Sequence, residues 1–123
     1  MSSGNLSLLT LTVAAAGPLA SCRVITQSGA YPAAGGVGFG VTRTSAAAAG
    51  DLVPTDVLGT AIVETGAAVT KDAALMVDAT GRVVPLTVGS KSPVARAMEA
   101  AAGEGAFIEV LLVTSAGLVS AAS

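Results

Sequence analysis

Histidine and tryptophan are absent from this 123-residue chain, cysteine occurs once, and only Tyr31, Phe39 and Phe107 are aromatic. Each absence removes a class of chemistry. Without histidine there is no Ser-His-Asp or Cys-His nucleophile, no imidazole ligand for zinc or iron, and no imidazole pH switch. The lone Cys22 excludes an intrachain disulfide framework and multi-cysteine metal sites. The eight carboxylates are scattered along the chain and lack the dense spacing of a calcium loop. Two of them meeting in space would have no aromatic cleft beside them to hold a sugar. Charged residues make up 11% of the chain, against about 25% in an ordinary soluble domain. The net charge of -2 offers no basic surface for nucleic acid. No apolar run reaches the roughly 18 residues of a membrane span. The expectation is therefore a protein that is not an enzyme, takes no cofactor or metal, and engages neither nucleic acid nor membrane.

What is abundant is small. Alanine fills 26 positions and glycine 15, a third of the chain, so the hydrophobic fraction of 52% overstates the core. Only 33 residues are Val, Leu, Ile or Phe. Burying a Val or Leu side chain stabilises by roughly 1.5–3 kcal/mol, and alanine contributes far less. The length suits one domain, but a core this thin leans on neighbouring copies or on a larger surface.

Two motif matches bear on function. In Ala34-Gly35-Gly36-Val37-Gly38-Phe39-Gly40 the glycines at 36, 38 and 40 alternate, as in a strand, and Val41-Thr42-Arg43-Thr44 follows. A dinucleotide or phosphate loop needs Gly-x-Gly-x-x-Gly opening a helix, or a closing Lys-Ser/Thr. Alternating glycines in a strand instead let another backbone approach closely. The second match, Leu19-Ala20-Ser21-Cys22, has the form of a bacterial lipoprotein signal, with lipid carried on Cys22. Residues 1–5 carry no Lys or Arg, and Leu9-Thr10-Leu11-Thr12-Val13 alternates in a β pattern instead of running apolar. The plain reading is a small buried thiol; a surface β protein anchored through Cys22 is the alternative.

Turn signals and β-branched runs give strands over 8–13, 22–27, 37–42, 58–64, 74–77, 82–86 and 107–113. The clearest hairpin surrounds Asp78-Ala79-Thr80-Gly81, where Asp bonds its own backbone and Gly takes a positive φ. Pro85, lacking an N–H, places its strand at an edge. In 107–113, Ile108, Val110 and Leu112 share one face; Phe107, Leu111 and Val113 share the other with Glu109. Residues 92–103 read two ways. A Ser N-cap, Pro93, alanines and a final Gly103 favour a helix, while Val94, Arg96 and Met98 alternate as in a strand.

Taken in order, Gly40-Val41, Ala49 to Val53, Gly59-Thr60-Ala61, Gly66 to Val69, Asp78 to Val83, Val94 to Ala101 and Ile108 to Leu112 resemble the capsid cement, or head decoration, proteins of tailed bacteriophages. The resemblance covers about residues 36–113 and implies a strand turning through Gly103-Glu104-Gly105 where local rules favour a helix. It implies a mostly β fold: a compact small β-sandwich or β-barrel-like (β-tulip-type) domain with few or no helices. Residues 1–13 form an extended N-terminal arm or first strand, and residues 14–123 a single β domain. The implied function is structural. The protein is made in the host cytoplasm and binds the outer surface of the expanded phage head as a homotrimer. There it bridges neighbouring major capsid protein subunits. Apolar on one side and Thr on the other, Leu6, Leu8, Leu9, Thr10, Leu11 and Thr12 are the candidate capsid-binding residues, acting by strand addition; the same residues also read as an ordinary internal first strand. Arg23, Arg43, Arg82 and Arg96 are further candidates, for pairing with capsid carboxylates.

Overall fold

The computed structural model describes residues 7–87 and 92–113, and these are all β. Eight strands run β1 (Ser7–Ala14), β2 (Val24–Ile25), β3 (Gly40–Thr42), β4 (Leu52–Glu64), β5 (Ala74–Val77), β6 (Val83–Pro85), β7 (Ala95–Ala97) and β8 (Phe107–Leu112). They pair antiparallel in the order β2-β3-β4-β8-β7-β5-β6, with β1 joined to β4 off this path. The ends of the path meet. Val24 N–H donates to the Gly81 carbonyl at 2.7 Å, and Thr65 bridges Val83. The sheet is thereby nearly closed into a barrel, which leaves few free edges.

Strand β4 is the spine, and it is longer than its sequence suggests. Asp56 reads as a strand boundary, yet β4 begins at Leu52 and passes through both Pro54 and Asp56. Proline is tolerated because β3 ends one residue short of it, at the Thr42–Thr55 pair. The Asp56 carboxylate is buried but partnered: Thr10 Oγ1 donates to it at 2.9 Å, and Arg43 Nε lies 3.5 Å away. The strands expected at 22–27 and 37–42 shrink to β2 and β3, since 26–39 is occupied by loop turns and the Tyr31 and Phe39 packing.

The core has two parts. One packs Val63, Leu75, Val77, Val83, Ile108 and Val110 inside the barrel. The other joins Val13, Leu19, Ile25 and Val53 beneath β1. Alternation decides which side chains enter: in β8, Ile108, Val110 and Leu112 are buried, while Phe107 and Leu111 face out.

Residues 95–97 form a strand despite their helix signals. Ala95 and Ala97 pair with Leu112 and Val110, and the following turn is bound on both sides. Thr65 Oγ1 donates to the Gly103 carbonyl at 2.9 Å, and Gly105 N–H donates to the Thr65 carbonyl at 2.8 Å. Such tertiary pairing outweighs the few tenths of a kcal/mol per residue that alanine propensity supplies. The hairpin of β5 and β6 forms at its expected position. Asp78 Oδ1 accepts from Thr80 N–H at 2.9 Å, Thr80 Oγ1 at 2.7 Å and Arg82 N–H at 3.1 Å, and Gly81 has φ 83°. Pro85 lies on β6, the last strand of the path, and is exposed.

Candidate docking surface

β1 differs from every other strand. It follows one side of β4 from Ala14↔Leu52 to Ser7↔Gly59, with register irregularities flanking Leu9. There β4 bends at Gly59, whose φ is 101°, and beyond it Thr60 to Glu64 pair with β8. Val13 is buried opposite Val53, and Thr10 is tied to Asp56, so the segment is a paired strand within this chain.

Leu8, Leu9, Thr10, Leu11 and Thr12 form an unbroken exposed run. Leu8 is 71% exposed, Leu9 faces the half-exposed Leu58, and Leu52 at the far end is 70% exposed. Leu6 lies outside the described residues. Ala15 N–H donates to the Asp51 carbonyl at 2.8 Å. Antiparallel alternation then turns the backbone groups of Leu11 and Val13 toward β4, and those of Thr10 and Thr12 away from it. Among the described residues β1 pairs with no strand but β4. Ser7–Ala14 contains no charge and no proline, two of the devices by which an edge normally deters another strand.

Most of the arginines are committed elsewhere. Arg23 clamps Glu64 through Nε at 3.1 Å and an amino group at 3.0 Å, and donates to the Thr80 carbonyl at 2.9 Å. Arg82 reaches Glu64 at 3.5 Å and Asp78 at 3.9 Å. With Arg43 on Asp56, three of the four candidate arginines serve to fasten β2, β4 and the β5–β6 turn together. Arg96 alone of the four is exposed without an ion pair among the described residues.

Cys22 is half-buried rather than buried, in the left-handed region at φ 60°. Its N–H donates to Thr42 and its carbonyl accepts from Glu64 N–H, both at 2.9 Å. It lines a hollow of about 170 Å³ with Thr42, Arg43, Asp56 and Ile62. Partial burial pushes its thiol pKa up; a hydrogen bond from Ser21 opposes this, and Glu64 adds to it. A protonated thiol inside a strand seam is a poor nucleophile, and its place mid-fold gives no support to the anchored reading. The alternating-glycine reading holds at one position. A Cβ on Gly40 would lie 2.5 Å from the Asp56 carbonyl and 2.7 Å from Thr55 Cγ2. Gly36 and Gly38 fall in loop instead.

No cluster of three or more metal-ligating side chains occurs among the described residues. No helix among them is long and apolar enough to cross a membrane. One surface escaped the sequence reading, namely the outward side of β8 and β7. Phe107 is 58% exposed there, beside Leu111 and Met98. Apolar residues on both faces of 107–113 were the available signal.

A family profile described as phage cement protein matches residues 1–112. A search of curated proteins finds no match. Among solved structures, the N base of the head fiber gp8.5 in bacteriophage phi29 is similar, with a TM-score of 0.68 and 21% identity. The alignment covers 87% of this chain and 95% of that one.

Proposed function

The chain belongs to the phage cement protein family, and on that premise we propose that it decorates the outer surface of the expanded phage head. In this reading it binds as a homotrimer and bridges neighbouring major capsid protein subunits, performing no chemistry. It is made in the host cytoplasm and ends on the virion. The observation that carries the reading is the uncharged, exposed edge of β1, with Leu8 to Thr12 open to a partner. The head fiber of phage phi29, whose N base shares the fold, is likewise a head component.

An extended capsid segment laid along β1 gains main-chain hydrogen bonds worth about 0.5–1.5 kcal/mol each. Leucines at 8, 9 and 11 add apolar burial. One such contact is weak, and three in a trimer act together if all can engage at once. Lysine at Leu8 and Thr12 tests this, because both side chains are exposed and an edge lysine blocks strand addition. The Leu8→Lys/Thr12→Lys protein is expected to keep its thermal midpoint and lose at least tenfold in affinity for expanded heads. Undiminished binding would remove β1 from the account.

A further inference from the structure

Beyond the β1 edge, the molecule carries a second exposed apolar surface, and it is a sheet face instead of an edge. Thr60, Leu111, Arg96 and Ala74 lie side by side across β4, β8, β7 and β5. Ile62, Glu109 and Met98 form the next row, with Met98 N–H donating to the Glu109 carbonyl at 3.0 Å. Glu64 and Phe107 form the third. The opposite sides of these strands carry Ala61, Val110 and Ala97, all fully buried, so this face is the outside of the barrel. Phe107, Leu111 and Met98, exposed by 58, 43 and 42%, stand on it. Aromatic residues, Met and Arg are the types enriched at protein interfaces.

We infer that this face is the contact between copies of the chain, with the Arg96 end of one copy seated on the acidic turn end of the next. The inference rests on the trimer reading above and supplies the surface that it requires. Charge selects the occupant. Arg96 stands at one end of the β7–β8 hairpin without an ion pair among the described residues. At the other end Glu99 is half-exposed and Glu104 is exposed by 73%, with only a 4.0 Å approach from Arg82. The hairpin thus carries an unmatched cation at one end and the Glu99 and Glu104 carboxylates at the other, Glu99 also accepting from Glu109 N–H at 3.3 Å, with Met98, Glu109 and Phe107 on the face between them. Each copy then offers its Arg96 end to one neighbour and its turn end to another, and such a head-to-tail contact closes into a ring when each copy is rotated about a common axis from the last.

The test is the oligomeric state of the free protein by light scattering, with capsid binding measured separately. The wild-type chain is expected to sediment and scatter as a closed oligomer. Leu111→Glu and Arg96→Glu are each expected to give monomer with unchanged β circular dichroism. The double variant Arg96→Glu/Glu104→Arg, which reverses both ends of every contact, is expected to restore association. A wild-type monomer, or an oligomer indifferent to both substitutions, overturns the inference. So does cross-linking from position 107 to capsid protein instead of to a second copy. A monomer that still binds heads sinks this inference alone, whereas an oligomer that never binds heads sinks the decoration reading alone.

Discussion

At the scale of single residues, close approach and fixed charge explain positions that composition makes look featureless. Gly40 is one glycine among 15, yet it is the one where β3 meets Thr55, Asp56 and Val57. Gly40→Ala is expected to cost about 1–3 kcal/mol through overpacking, read as a lower denaturant midpoint. Glu64 accepts from two arginines at three distances between 3.0 and 3.5 Å, half-buried. Glu64→Gln is expected to cost about 1.5–3 kcal/mol, the range for hydrogen bonds to charged groups, by chemical denaturation. Cys22 carries a raised thiol pKa caused first by burial. Its alkylation at pH 8 is therefore expected to be several-fold slower than in the unfolded chain. With the thiol neutral in both states it has no effect on stability, and above the ordinary thiol range the unfolded chain ionises first. Folding stability falls as pH rises from there up through the raised value, and Cys22→Ser abolishes that component. Glycine spacing marks Gly40 for close approach and Cys22 reads as a buried thiol, but the partners of all three residues are not legible in the sequence, since each lies at least 15 residues away.

At the scale of elements, the legible features were local and the misread ones were not. The β5–β6 hairpin announces itself because Asp78 and Gly81 determine their own turn. Asp78→Ala is expected to destabilise by about 1 kcal/mol, measured by thermal melting. The inward and outward faces of β8 follow from alternation alone. β4 reads as a shorter strand because Pro54 and Asp56 are poor strand residues in isolation; the end of β3 and the Thr10–Asp56 bond make them acceptable. The 92–103 segment has the opposite history, with helix signals overridden by pairing to β8 and by Thr65 holding the turn. β1 is legible as a strand, but its partner is not: only the register with β4 shows that Val13 is buried while Leu8 to Thr12 are left open.

At the scale of the whole molecule, the thin core and the exposed leucines have one explanation. Closing the sheet satisfies most backbone groups, and the interior is filled mainly by Val, Leu and Ile with Ala15, Ala46, Ala61, Ala95, Ala97 and Ala101 between them, while most other alanines lie at the surface. Apart from Val37, the large exposed apolar side chains are divided between the β1–β4 edge and the β7–β8 face, and neither is covered among the described residues. A protein that bridges subunits needs one surface for the shell and another for its own copies. The β1 edge carries no charge, so its contact with the shell is expected to persist at high salt, unlike that of a charge-steered partner. Retention on heads washed in 1 M NaCl checks this, and stripping by salt would point to an electrostatic contact instead. The most direct measurement of the central claim is co-sedimentation of the purified wild-type protein with expanded and with unexpanded heads. The account predicts saturable binding to expanded heads and none to unexpanded ones; binding to neither, or equally to both, would contradict it.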